Sequence, residues 1–233
     1  MGETNNQGAP YKGEPTDDVS RTLIWDRVTR LWHWGLVLTI TGSWLTAEFG
    51  QFTLHRTFGI TAAALVVFRL YWGIVGTSTS RFAAFIVSPA TTLRYARNLF
   101  SPSYKRVAGH NPLGGLSVVA LILVLGTQTL TGLFAVDTDG LASGPLARFV
   151  SYDLGRQAAG LHEISFRALY VLIGLHLFAI AFYRFGKRID LISPMVTGHI
   201  QGMHPPAKKS GMLTLLIGVL IAGAVWTLLF RLA

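Results

Sequence analysis

Long apolar segments alternate with shorter polar ones along this chain of 233 residues. A helix needs about 20 apolar residues to cross the hydrocarbon core of a bilayer. The pattern therefore predicts helical membrane spans, of which the first is the shortest and is flanked by tryptophans typical of a membrane interface. The five predicted spans are Leu31–Ala47, Leu54–Val75, Leu113–Val136, Leu161–Tyr183 and Met212–Phe230.

The two ends of the chain differ from its centre. Residues 1–20 are polar and rich in Gly, Asn and Pro, which is typical of a disordered tail. Residues 21–200 hold the first four spans and form the predicted transmembrane domain. Residues 201–233 contain a basic linker and an accessory fifth span without histidine or acid. The predicted fold is an all-α integral membrane protein with a four-helix bundle and a fifth C-terminal helix.

Composition agrees with a membrane protein. Hydrophobic residues make up 51% of the chain and charged residues 13%, whereas a soluble domain carries about 25% charged residues. The absence of cysteine excludes disulfides, iron–sulfur clusters and thioether-linked haem on this chain. The net charge of +9 comes from basic residues in short loops beside the spans. We therefore expect contact with membrane lipid and not with nucleic acid.

The loop charges predict an orientation. The segments 77–111 and 184–209 are strongly basic, whereas the opposite side carries Glu48, Asp137 and Asp153. Because basic loops stay in the cytoplasm, the N-terminus is expected in the cytoplasm and the C-terminus outside. The predicted location is the bacterial inner membrane, crossed several times.

Four histidines pair by depth in this topology. His162 and His176 lie on one helix face, about 21 Å apart at 1.5 Å per residue. His33 begins the first span at the cytoplasmic side, level with His176. His55 begins the second span at the periplasmic side, level with His162.

Paired imidazoles on facing helices suit the iron of a flat macrocycle, so this spacing favours two haems. A metal transporter is the leading alternative, although the spans lack the Asp and Glu residues that a hard-cation or proton pathway usually needs. Arg69 shares the helix face of His55. It is a candidate partner for a haem propionate, and snorkelling to the interface is an equal alternative.

Four sequence blocks resemble the bacterial cytochrome b561 family, which includes the b-type cytochrome subunits of nickel–iron hydrogenases. The resemblance runs from about Leu23 to Gly198, in the order of the family. The blocks are IWDRVTRLWHWGLVL, HRTFGITAAALVVFRLYWGIVG, HNPLGGLSVVALILVLGTQTLTGLF and LHEISFRALYVLIGLH.

The resemblance implies a cofactor and a set of ligands. Four helices would hold two b-type haems, with iron ligands on the first, second and fourth helices. His33 and His176 would bind the cytoplasmic haem, and His55 and His162 the periplasmic one. This assignment agrees with the pairing by depth.

The resemblance also implies electron transport. The leading hypothesis is a respiratory-chain component that carries electrons between a periplasmic partner and the quinone pool. That partner would be a c-type cytochrome or a hydrogenase subunit, and ubiquinone is a candidate further cofactor. The alternative is a self-contained superoxide:quinone or quinol oxidoreductase, so whether the chain is an enzyme by itself stays open.

Overall fold

The computed structural model describes residues 21–99, 101, 109–138, 142–201 and 207–233. The predicted disordered tail, 1–20, lies outside the described residues. Within them the fold is helical apart from one small antiparallel sheet, β1 (Arg21–Leu23) with β2 (His199–Gln201). The helices are α1 (Arg27–Glu48), α2 (Phe52–Val75), α3 (Pro89–Asn98), α4 (Pro112–Phe134), α5 (Tyr152–Ala181), α6 (Ile192–Thr197) and α7 (Met212–Leu232).

Four of the five predicted spans are confirmed as helices long and apolar enough to cross a membrane. They are α2, α4, α7 and α5 with its π-helical continuation, Tyr152–Gly186. The helix α1 has 22 residues, enough for about 33 Å. It contains polar and tryptophan side chains among its apolar ones and is not one of these four helices, so its span stays a prediction.

Side-chain caps fix where the long helices begin. Asn111 accepts a hydrogen bond from Gly114 N, and Pro112 occupies the first turn, so α4 begins one residue before the predicted span at Leu113. Ser151 caps α5 in the same way. This helix therefore begins nine residues before the predicted span at Leu161, because its first turns lie in a polar segment that hydropathy does not mark.

The helix α2 lies at the centre of the assembly and packs against α1, α4 and α7, while α5 packs against α4. Val66, Leu125 and Leu169 form a buried cluster from α2, α4 and α5. Leu36 and Ile40 of α1 pack against it. The four helices α1, α2, α4 and α5 thus meet around one apolar core.

The fifth predicted span packs on the outer side of α2. Gly218 of α7 lies against the ring of Tyr71, and the hydroxyl of Tyr71 donates to Thr214 O at 3.1 Å. Near the other end of α7, Trp226 Nε1 donates to Thr61 Oγ1 at 3.1 Å. These contacts pack α7 against α2 along most of its length.

Candidate cofactor sites

His55 and His162 come together although they lie on different helices. His55 stands in the first turns of α2 and His162 in the second third of α5. Their ring centroids are 6.2 Å apart and the ring planes are nearly perpendicular, at 88°. Two metal–imidazole bonds of about 2 Å each put the centroids of two axial rings about 6 Å apart. The observed separation therefore suits a single iron between the rings.

Both rings are held by the nitrogen that a metal would not use. His55 Nδ1 donates to Ser43 O at 2.8 Å, and His162 Nδ1 donates to Gln128 O at 2.9 Å. A carbonyl oxygen can only accept, so each Nδ1 carries the hydrogen and each Nε2 keeps its lone pair. Metal-binding histidines are oriented by this kind of bond to a backbone carbonyl.

Gln128 also contacts the second nitrogen of His162. Its side-chain amide nitrogen lies 3.0 Å from His162 Nε2, and its Oε1 accepts a short hydrogen bond from the buried Ser165 hydroxyl. The amide N–H donates to the Nε2 lone pair, which agrees with hydrogen on Nδ1. Binding of iron at Nε2 would replace this hydrogen bond.

A cavity of about 600 Å³ surrounds the two rings. Its volume falls in the range of small-molecule and cofactor sites. Gly59 on its wall has open space in the direction of a β-carbon, which lets a flat ligand approach the backbone of α2. Arg56 and Arg156 line the cavity as well and could bind carboxylates such as haem propionates. The chemistry of this lining fits haem.

His33 and His176 lie near one another at the opposite end of the bundle. Their rings are close enough to interact electrostatically. His33 packs edge-on against Trp34, with centroids 5.1 Å apart. Its Nδ1 is buried and has no hydrogen-bond partner within the described residues. A metal-binding histidine usually holds its second nitrogen in a hydrogen bond, so among the described residues His33 lacks the orienting bond that His55 and His162 have.

Arg69 is buried beside the rings of Trp32 and Phe82, near the end of α2. Its side chain is 4% exposed, and its guanidinium lies 5.6 Å from the ring centroid of Trp32 and 4.8 Å from that of Phe82. Its Nη1 is buried without a hydrogen-bond partner in the described part of the chain. An arginine that snorkels would reach water or headgroups. Burial therefore argues against snorkelling, and the propionate role stays a prediction.

His110 also lies at this end of the bundle, where the sequence predicts a helix start and leaves contact with quinone or a propionate as the alternative. It lies just before α4, with its ring 4.7 Å from that of Trp25 and 4.5 Å from that of Phe85. Burial lowers the pKa of His110 to about 3, and the charges of Arg69 and His176 act in the same direction. The imidazole is therefore neutral at physiological pH. The surrounding segment, GHNPLGG, is typical of a helix start, and its residue types do not predict that the His110 side chain is buried.

The contacts of Gln128 that orient His162 were not predicted from the sequence. The backbone carbonyl of Gln128 cannot be recognised from residue type, because every residue has one. The Gln128 side chain did leave a signal, since it is a polar amide within an otherwise apolar span. Such intramembrane polar groups usually contact other helices.

Paired imidazoles between membrane-spanning helices, beside a cofactor-sized cavity, define the class of helical membrane haem proteins. A family model described as prokaryotic cytochrome b561 matches residues 24–198. The chain belongs to the prokaryotic cytochrome b561 family, which confirms the resemblance noted from the sequence blocks. It is thus a multi-pass membrane cytochrome of the b type, a haem-binding class that transfers electrons. No curated protein and no solved structure matches the chain significantly.

Proposed function

We propose that the chain binds two b-type haems, one at each end of the bundle. His55 and His162 ligate the periplasmic haem, and His33 and His176 ligate the cytoplasmic one. The observation that carries this proposal is the 6.2 Å separation of the His55 and His162 rings, each held through Nδ1. The second site is supported by the proximity of His33 to His176 and by the family match.

A b-type haem bound at each site would supply one-electron redox chemistry. The side chains around each site would hold the haem and separate it from water. Two imidazoles at each site would hold the haem iron, which would favour electron transfer over oxygen binding. Ser43 O and Gln128 O fix the ring planes of His55 and His162. Arg69 would neutralise a propionate of the cytoplasmic haem, and Arg56 and Arg156 would be available to the periplasmic one.

The helix α5 determines the path of the electrons, because His162 and His176 lie on it about 21 Å apart. Together the two sites connect the periplasmic and cytoplasmic faces of the bacterial inner membrane. The N-terminus lies in the cytoplasm, as the basic loops favour, and α1 also crosses the membrane. The chain carries electrons between a periplasmic c-type cytochrome or hydrogenase subunit and the quinone pool, with ubiquinone as the quinone.

A superoxide:quinone or quinol oxidoreductase is the second candidate function. This candidate rests on the family resemblance alone, because the lining of the cavity around His55 and His162 carries carboxylates beside its arginines and so gives no net attraction for a small anion. These charged side chains are Glu48, Asp137, Glu163, Arg56 and Arg156. Quinone reduction by the purified chain given superoxide alone would support this function. A rate that depends on an added c-type cytochrome or hydrogenase would support the first.

Haem content of single-histidine variants tests the ligand assignment. We expect His55→Ala and His162→Ala each to lose the periplasmic haem and keep the other, as counted by pyridine haemochrome spectra of purified protein. His33→Ala and His176→Ala should lose the cytoplasmic haem. The matched control is His199→Ala, because His199 is exposed on β2 and should leave both haems in place. Two haems per chain in any of the four ligand variants would show that the assignment is wrong.

A further inference from the structure

A groove runs between the start of α1 and the short helix α6, beside His33, whose ring contacts Trp34 of the groove. It encloses about 340 Å³. Its lining combines two arginines with apolar side chains: Arg27, Arg30, Leu31, Trp34 and Val196. The groove lies at the end of the bundle where α1 begins, so it is expected at the level of the lipid headgroups.

The charge of the two arginines is not neutralised within the groove. Neither Arg27 nor Arg30 forms an ion pair with a carboxylate of the described residues. Arg30 donates from Nη1 to Val196 O, but its Nε is buried and has no partner in the described part of the chain. The nearby carboxylate of Asp26 is already bound by the hydroxyls of Thr29 and Thr77. The groove therefore presents positive charge that no carboxylate of the described residues neutralises.

Apolar side chains continue the groove along α1. Arg27, Leu31, Trp34 and Leu38 follow the spacing of one helix face. Leu31 is 75% exposed and Leu38 is 72% exposed. Trp34 is fixed over α6 because its Nε1 donates to Met195 O at 3.2 Å. Charge at the headgroup level above an apolar strip matches the two parts of a phospholipid.

We propose that this groove binds one anionic phospholipid. Its phosphate lies between Arg27 and Arg30, and one acyl chain lies along Leu31, Trp34 and Leu38. Basic pockets beside membrane helices bind acidic lipid headgroups in this way. A free phosphate would use the arginines but leave the apolar strip without a role.

The bound lipid would steady the helix that carries His33. Arg30 and Trp34 lie on either side of His33 in α1, and both donate to carbonyls at the end of α6. A lipid in the groove covers these two bonds and keeps water from them. Binding itself needs neither haem, so its test is separate from that of the proposed function.

The experiment measures lipid binding to the full-length protein by native mass spectrometry in a mild detergent. Phosphatidylglycerol, phosphatidylcholine and inorganic phosphate are added in separate titrations. We expect tight binding of one phosphatidylglycerol, much weaker binding of phosphatidylcholine and no displacement by millimolar phosphate. The double variant Arg27→Gln/Arg30→Gln should bind phosphatidylglycerol about 30-fold more weakly, given the usual contribution of two basic residues at a membrane surface.

The control changes the same number of charges elsewhere. Arg184 and Arg188 are exposed after α5, and Arg184→Gln/Arg188→Gln should bind phosphatidylglycerol as the parent does. Leu31→Ala/Leu38→Ala should weaken phosphatidylglycerol binding while leaving both arginines in place. If the double arginine variant does not fold, Arg27→Gln alone carries the test, because Arg27 is exposed; it should weaken binding several-fold. Unchanged binding in the groove variants, equal binding of phosphatidylcholine, or displacement by inorganic phosphate would each overturn the proposal.

Discussion

A β-carbon placed on Gly132 would lie 2.8 Å from Cε1 and 3.0 Å from Nδ1 of His162. The imidazole therefore rests directly on the backbone of α4, at a point where only glycine leaves room. The same ring donates to Gln128 O one turn earlier on α4, so it cannot move aside without losing that hydrogen bond. The observed orientation of the His162 ring therefore requires glycine at position 132.

The substitution Gly132→Ala should therefore displace the His162 ring and weaken retention of the periplasmic haem. The Nδ1 bond to Gln128 O would be lost or strained, and a buried hydrogen bond left unmade costs about 1–3 kcal/mol. Haem per chain and the visible spectrum after detergent purification measure the effect. The matched control on the same helix is Gly126→Ala, where a β-carbon meets nothing within 4 Å. Equal haem content in the two variants would contradict the role of Gly132.

Replacement of Arg69 should act on the cytoplasmic haem alone. Arg69→Gln removes a buried positive charge, so the oxidised, more positive haem becomes relatively more stable and its midpoint potential falls. A tenfold change in that one-electron equilibrium corresponds to ~59 mV. Redox titration of the two haems measures the shift. Arg69→Lys keeps the charge and should restore most of the potential, and a potential that is unchanged in Arg69→Gln would rule out a propionate partner.

Asp26 should make stability depend on pH in the acid range. Burial alone raises the pKa of this carboxyl, but hydrogen bonds from Thr77, Thr29 and Ser80 outweigh it and hold the pKa below its ordinary value of 3.8. A carboxyl with a lowered pKa stabilises the folded state above its ordinary pKa, and this contribution is lost as the pH falls through the folded pKa.

We therefore expect Asp26→Asn to lower the free energy of unfolding by about 1–2 kcal/mol at neutral pH, because an amide cannot accept all of these bonds. The difference from the parent should narrow below pH 3.8, the ordinary pKa of the carboxyl. Thermal unfolding in detergent, followed by circular dichroism at several pH values, measures both effects. Asp153→Asn is the control, since Asp153 is exposed in the first turn of α5. A destabilisation that stays constant down to pH 3 would contradict the assignment.

Two neighbouring leucines of α7 allow its packing against α2 to be tested separately from its exposed surface. Leu229 is buried against Ile60 and Ala63 of α2, and Ile60 also lines the cavity around His55. Leu228 is 61% exposed. Leu229→Ala should lower stability by about 2 kcal/mol and speed loss of the periplasmic haem on heating, whereas Leu228→Ala should change neither. Thermal loss of the haem absorption band is the measurement, and equal behaviour of the two variants would mean that α7 does not support the cavity wall.

Hydropathy predicted most of the helices because a bilayer leaves few alternatives. Backbone groups in hydrocarbon must bond within their own segment, so an apolar stretch of sufficient length becomes a helix. The start of α5 is the exception. Ser151 and the polar turns after it belong to the helix by capping, and hydropathy does not report hydrogen bonds.

The sequence by itself determined which histidines share a level, because helix rise and topology convert residue number into depth. It also determined the family, through blocks that keep their order along most of the chain. The tertiary structure decided what surrounds those histidines: the Ser43 and Gln128 carbonyls that orient two rings, the glycine beneath one of them and the burial of Arg69. These features depend on how helices that are distant in the sequence pack and rotate against one another, and residue spacing within a single helix carries no information about its neighbours.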